Sequence, residues 1–149
     1  MRLRVGLDTS VFSAYYDARV TDRRAQTEAF WARRAEFDLA ACDVTREELS
    51  RVIETRLRSR LLAMLNEVTL HPVTPEVDEL ASRYVDEGVF GPAMFDDARQ
   101  VAFAVVSRQD VLLSWNFRHL VNRRRRSQVN QVNVTLGLPI IEILAPPEI

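Results

Sequence analysis

The chain has 149 residues, of which 47% are hydrophobic and 28% are charged. This length suits one domain that buries about 68–70% of its unfolded surface, and the composition excludes a disordered or low-complexity protein. The longest apolar run is Val101–Val106, whereas a membrane span needs about 20 residues. The single cysteine, Cys42, excludes an internal disulfide and a cysteine-rich zinc site. We therefore expect one cytoplasmic domain over residues 1–149, outside any membrane.

The net charge is −1, from 20 basic and 21 acidic residues, and every basic residue is arginine. The stretch from Val111 to Ile141 contains Arg118 and Arg123–Arg126 but no acid. The remaining residues then carry 15 basic and 21 acidic side chains, a balance of −6. One end of the fold is therefore expected to be positive although the whole chain is slightly acidic.

The first third of the chain predicts a strand, two helical segments and a second strand. In chain order they are Leu3–Leu7, Val11–Tyr16, about Asp22–Glu36 and Asp38–Val44. The first strand is a short apolar run that ends at Asp8. Phe30 and Trp31 are expected to anchor the second helical segment in the core.

The remaining chain continues the alternation of strands and helices. Thr45–Glu48 matches the capping box S/T-x-x-E, and the apolar spacing that follows predicts one long helix as far as Leu65. The later elements are a strand Val68–Pro72, a helix from Pro75 to near Gly88, a helix from Asp96 or Asp97, a strand Val111–Trp115, a helical turn Phe117–Asn122 and a strand Leu138–Leu144. This order predicts an α/β fold with a mostly parallel sheet.

Polar residues from distant segments are expected to meet at one edge of this sheet. Asp8 ends the first strand, Glu48 follows the second, Asp96 and Asp97 open the helix before the fourth, and Asn116 follows the fourth. Ligands of open α/β sheets bind beyond the carboxyl ends of the strands. Clustered carboxylates repel one another unless a cation neutralises them, and their oxygens suit Mg²⁺ or Mn²⁺. Such an ion can activate water and bridge phosphate oxygens.

Each acid also has a structural interpretation. Glu48 could cap its helix, and Asp96 or Asp97 could complement a helix dipole. Asp8 is harder to explain in this way, because an acid that ends an apolar strand needs a partner. A phosphatase-like nucleophile at Asp8 is least favoured, because Ser10 stands where a second aspartate is needed.

The chain resembles PIN domains, the metal-dependent ribonuclease fold of VapC-type toxins, over nearly its whole length. The segments that carry the resemblance occur in the family's order: Leu7–Phe12, Thr45–Leu49, the Asp-Ala-x-x-x-Ala-x-Ala helix Asp97–Ala104, Leu112–Leu120 and Gly137–Ile143. The resemblance implies a single PIN-like domain, a three-layer α/β/α sandwich around a mostly parallel sheet. It also implies an endoribonuclease that hydrolyses RNA, the toxin of a toxin–antitoxin pair.

The resemblance implies that Asp8, Glu48 and Asp97 hold Mg²⁺ or Mn²⁺. Asn116 occupies the fourth catalytic position, where many family members carry aspartate, so it brings no charge and leaves open whether one ion or two bind. Ser10 and Ser114 are expected to orient the carboxylates by hydrogen bonding to them, without contacting the ion. The alternative is a non-catalytic module of the same fold that binds RNA or a protein partner.

Further expectations concern the partners. Arg118, Arg123 and Arg124 are candidates for contact with RNA phosphates, and His119 lies near the predicted site. The polar stretch that begins at Arg123 could instead be a flexible, solvated loop. The resemblance further implies a homodimer and an antitoxin protein.

Overall fold

The computed structural model describes all 149 residues and has one sheet of five parallel strands. The strands, in chain order, are β1 Leu3–Leu7, β2 Phe37–Cys42, β3 Thr69–His71, β4 Val111–Leu113 and β5 Glu142–Leu144. The helices are α1 Thr9–Ser13, α2 Thr21–Ala32, α3 Asp43–Ser50, α4 Thr55–Leu65, α5 Pro75–Asp86, α6 Phe95–Val106 and α7 Arg123–Thr135. The spatial order β3-β2-β1-β4-β5 confirms the predicted α/β fold with a parallel sheet.

Two apolar layers sandwich the sheet because successive strand residues face opposite sides. On β2, Leu39 and Ala41 belong to the cluster formed with α1, α2 and α4, which includes the predicted anchors Phe30 and Trp31. Ala40 and Cys42, also on β2, belong to the cluster formed with α5, α6 and α7. The architecture is therefore three-layered. No helix combines the length and apolar character that crossing a membrane requires.

The single long helix predicted over residues 45–65 is wrong, because the chain forms α3 and α4 with a break between them. Glu54 causes the break: its carboxylate accepts hydrogen bonds from the backbone N–H groups of Arg56 and Leu57, at 2.9 and 2.7 Å, and so starts α4. Ile53, assigned by its spacing to the buried face, is 94% exposed. The predicted capping box also fails, since α3 begins at Asp43, ahead of Thr45.

The last predicted strand is too long, because only Glu142–Leu144 pair with β4. The Asn130 side chain on α7 forms hydrogen bonds with both the backbone N–H and the carbonyl of Ile141. It accepts the Ile141 N–H at 2.8 Å and donates to the Ile141 carbonyl at 2.9 Å. These bonds occupy the groups that would otherwise extend the strand.

The polar stretch from Arg123 is helical, so the flexible-loop interpretation is wrong. Asn122 caps α7 by accepting the Arg125 N–H at 2.8 Å. Asn133 is fully buried in the same helix and accepts a 2.5 Å hydrogen bond from the Tyr84 hydroxyl of α5. A buried polar pair thus joins two helices where the sequence shows few apolar residues.

Candidate active site

Two neighbouring strands bring Asp8 and Ser114 together at the carboxyl edge of the sheet. Leu7 at the end of β1 lies in register with Leu113 at the end of β4. The Asp8 N–H continues this pairing by donating to the Leu113 carbonyl at 3.0 Å. The next residues of both strands therefore lie side by side.

Asp8 is held by three donors and is only 7% exposed. One carboxylate oxygen accepts the Thr9 N–H at 2.8 Å and caps α1. The other oxygen accepts the hydroxyls of Ser10 and Ser114, at 2.8 and 2.6 Å. Burial raises the pKa of Asp8, while these hydrogen bonds lower it. The structure thus places both predicted supporting serines directly on this carboxylate.

Glu48 and Asp97 approach the same edge from α3 and α6. Burial raises the pKa of Glu48 to about 7, and the negative charges of Asp8, Asp96 and Asp97 add to the rise. The charge of Asp97 also raises the pKa of Asp8. The three predicted carboxylates therefore share one electrostatic environment. Asp96 instead pairs with Arg99 at 3.2 Å, and its side chain is more exposed than that of Asp97.

Asn116 organises the turn that follows β4. Its backbone N–H donates to the Ser114 hydroxyl at 2.9 Å, and its side-chain oxygen accepts the His119 N–H at 2.9 Å. This turn brings the His119 Nδ1 atom to 2.9 Å from the Asp97 carboxylate. Contact between these two side chains was not predicted, although an asparagine three residues before the histidine is a typical turn signal.

The carboxylates suit a hard divalent cation by their chemistry. They supply only oxygen donors, and the mutual repulsion of Asp8, Glu48 and Asp97 is the energy that a cation would relieve. In the arrangement shown, no three Asp, Glu, His or Cys side chains converge closely enough to hold one ion together. The donor chemistry fits Mg²⁺ or Mn²⁺, whereas the spacing requires the side chains to turn before they can share one ion.

A cavity of about 450 Å³ beside the acidic cluster is lined by Arg118, Arg124 and Arg125 and by no acid. The predicted RNA-contacting residue Arg123 does not line this cavity. Burial lowers the pKa of Arg125, whereas the charge of Asp97 raises it. The cavity is therefore positive and lies within electrostatic range of the carboxylates.

Glu48→Gln is expected to stabilise the metal-free protein at pH 8 and to leave its stability unchanged near pH 4.5. The pKa of Glu48 rises from 4.5 to about 7 on folding, so its contribution to stability is present below pH 4.5 and is lost as pH rises through about 7. Glutamine removes that loss. We expect a gain of a few degrees in Tm at pH 8, since about 1 kcal/mol shifts Tm by about 2–4 °C in a protein of this size.

The check is thermal denaturation in EDTA across this pH range. Glu47→Gln is the control, because it removes the same charge from the neighbouring exposed residue and should give no pH-dependent gain. An equal difference between Glu48→Gln and wild type at both pH values would contradict the assignment.

Comparison with solved structures shows which known folds this one is similar to. The DNA-bound VapBC from Salmonella typhimurium matches with a TM-score of 0.60 and 15% identity, covering 97% of this chain and 98% of that one. VapC20 of Mycobacterium tuberculosis, a sarcin-ricin loop cleaving toxin, matches with a TM-score of 0.60 and 19% identity over 72% of this chain and 86% of that one. VapBC-5 of Mycobacterium tuberculosis matches with a TM-score of 0.52 and 20% identity over 95% of this chain and 98% of that one.

No protein-family model matches the sequence, and no curated protein matches it. The structural likenesses nevertheless show the three-layer α/β/α fold of the PIN domain. The fold that the sequence resemblance implied is thereby confirmed.

Proposed function

We propose that this protein is a metal-dependent endoribonuclease that hydrolyses RNA phosphodiester bonds, and that it is the toxin of a toxin–antitoxin pair. The observation that carries the proposal is the concentration of negative charge around Glu48, whose pKa reaches about 7 through burial and the charges of Asp8, Asp96 and Asp97. A folded protein tolerates such a cluster when a cation neutralises it. The VapC-like fold supports the same conclusion.

In this proposal Asp8, Glu48 and Asp97 hold Mg²⁺ or Mn²⁺, which when bound polarises a phosphate and makes a water more acidic. The Ser10 and Ser114 hydroxyls hold Asp8 in place by donating to one of its oxygens, and these hydrogen bonds partly offset the rise in its pKa that burial causes. Neither serine needs to touch the substrate for this role.

Asn116, the fourth proposed catalytic residue, acts through the turn that follows β4. Asn116 orders this turn and thereby presents His119 to the Asp97 carboxylate. The hydrogen bond orients one oxygen of Asp97 and leaves the other for the cation. Asn116 brings no charge, so a single ion accounts for the carboxylates that are present.

The substrate side of the proposal rests on the arginine cavity. Arg118 and Arg124 line it together with Arg125, and neither of the two forms an ion pair with a carboxylate. Unpaired guanidinium groups suit phosphate oxygens, which they bind through two parallel hydrogen bonds. RNA phosphates on either side of the cleavage point would occupy this cavity, and Arg123 would contact the backbone beyond it.

The partners follow from the same comparison. Several of the similar structures are VapBC toxin–antitoxin complexes, two of them with DNA. We propose that this chain likewise binds an antitoxin and that it forms a homodimer. The second candidate function is a non-catalytic RNA- or partner-binding module, favoured by the neutral Asn116 and by the absence of three converging ligands.

Cleavage of a mixed pool of structured and single-stranded RNA tests the proposal. Wild type should cleave with Mn²⁺ and not with EDTA, and Asp97→Asn should not cleave in either condition, because it removes one carboxylate from the cation site. Cleavage by Asp97→Asn, or by wild type in EDTA, would contradict the proposed site. RNA binding without cleavage and without a Mn²⁺-induced rise in Tm would support the non-catalytic module.

A further inference from the structure

Beneath the acidic site lies a buried cluster of three polar side chains. Thr9, Thr45 and Gln100 are 9%, 0% and 1% exposed. The Gln100 amide nitrogen donates to the Thr45 hydroxyl oxygen at 2.9 Å and to the Thr9 hydroxyl oxygen at 3.3 Å. The two hydroxyl oxygens lie 2.9 Å apart. The cluster is therefore a closed triangle of hydrogen bonds in the core.

Each member of this triangle belongs to a segment that carries one of the carboxylates. The pairs are adjacent in sequence or one helical turn apart: Thr9 with Asp8, Thr45 with Glu48 on α3, and Gln100 with Asp97 on α6. No other cluster of buried polar side chains connects these segments. The triangle thus joins three parts of the chain that the proposed metal site requires at fixed distances from one another.

The hydrogen atoms of the triangle can be counted. Gln100 uses its two amide hydrogens on the two threonine oxygens, and each hydroxyl has one hydrogen to donate. One of those hydrogens lies between Thr45 and Thr9. The other hydroxyl hydrogen remains for an acceptor outside the triangle. The Gln100 amide therefore donates to both threonines, and the two threonines share one further hydrogen bond.

This arrangement has a cost, because the Gln100 side-chain oxygen is buried and has no hydrogen-bond partner. An unsatisfied buried acceptor costs about 1–3 kcal/mol. An apolar side chain of similar size would avoid the cost altogether. Stability alone does not explain a glutamine here.

We propose that Gln100 is a positioning residue for the acidic site: its amide ties Thr9 to Thr45 and so sets the spacing of the segments that carry Asp8, Glu48 and Asp97. This inference rests on the proposed function, since the spacing serves the divalent cation. Gln100 acts through the threonines and touches neither the ion nor the RNA.

The test compares Mn²⁺ affinity, measured from the Mn²⁺-induced rise in Tm, with the Tm of the same variants in EDTA. Gln100→Leu should weaken Mn²⁺ binding about 10- to 100-fold, the usual effect of removing a residue behind a metal ligand. Its Tm in EDTA should equal or exceed that of wild type, because the orphaned acceptor is gone. In cleavage assays kcat should fall while KM for RNA stays unchanged.

Three further variants keep the test decisive even where Gln100→Leu folds poorly. Thr45→Val removes the hydroxyl and should lower Mn²⁺ affinity, whereas Thr45→Ser keeps it and should restore affinity to within about threefold of wild type. Tyr84→Phe removes the buried hydroxyl that bonds Asn133, far from the carboxylates. It should lower Tm without changing Mn²⁺ affinity.

Wild-type Mn²⁺ affinity in both Gln100→Leu and Thr45→Val would overturn the inference and leave the proposed function intact. Affinity that falls only together with Tm in EDTA, as for a packing defect, would overturn it as well. Absence of any Mn²⁺-induced shift in wild type would overturn the proposed function itself, and the inference with it.

Discussion

Asp8→Asn is expected to reduce Mn²⁺-dependent RNA cleavage by at least about 10³-fold, which corresponds to about 4 kcal/mol of transition-state stabilisation. Asp8 is the most buried of the three carboxylates and receives hydrogen bonds from Thr9, Ser10 and Ser114. Asparagine has nearly the same size, but it lacks the negative charge and cannot accept at both positions. The cation would lose its most rigidly held ligand. Cleavage rates under single-turnover conditions measure the effect.

Two further variants test whether the loss of cleavage is specific to the Asp8 carboxylate. Ser114→Ala should lower cleavage less, by about 10- to 100-fold, because the serine supports Asp8 and the Asn116 turn and is not itself a ligand of the cation. Asp86→Asn removes the same charge from the exposed end of α5 and should leave cleavage at the wild-type rate. A nearly active Asp8→Asn would show that the phosphodiester chemistry does not depend on this edge of the sheet.

Replacing Arg118 and Arg124 together by glutamine is expected to weaken RNA binding about 10- to 100-fold, or about 0.7–1.4 kcal/mol per arginine. Both line the positive cavity beside the carboxylates, and neither is neutralised by an acid within it. The dependence of log K on log salt should become shallower by about 1.4, because each arginine that neutralises a phosphate of a single strand adds about 0.7 to the slope. Binding titrations over a salt series measure both quantities, in an Asp97→Asn background that prevents cleavage.

The matched control replaces Arg2 and Arg34 by glutamine. These arginines pair with Asp38 and Glu67 and lie away from the arginine cavity, so the net charge changes equally while RNA binding should stay the same. Equal weakening by both double variants would indicate a general charge effect. The arginine cavity would then not be the RNA site.

Much of the sheet could be predicted because its signals are local. The three central strands, β1, β2 and β4, are short, mainly apolar runs followed directly by Asp8, Asp43 and Ser114, and β1 matches its predicted bounds. The break between α3 and α4 could not be predicted from apolar spacing, which continues through Ile53 although the chain turns there. The helix from Arg123 was missed because it is held by side-chain hydrogen bonds of Asn122, Asn130 and Asn133.

In the candidate site, too, some features could be predicted from the sequence and others could not. Asp8, Glu48 and Asn116, with Asp96 or Asp97, could be assigned to one edge because the carboxyl ends of parallel strands, and the helices beside them, meet there. The choice of Asp97 over Asp96 came from the resemblance to PIN domains. Contact of His119 with Asp97 could not, since it depends on the turn that Asn116 closes. No pattern in the chain indicated Gln100, whose glutamine stands among apolar residues of α6.

By itself the sequence determined the α/β class, the parallel sheet and the carboxylates at its edge. These depend on residue type and on periodicity along the chain, which the printed letters contain. Only the tertiary structure decided which polar side chains meet across the core, such as Gln100 with Thr9 at a separation of 91 residues. Such a meeting depends on how α6 packs over the sheet, and its hydrogen bonds form at distances of about 3 Å that no one-dimensional pattern encodes.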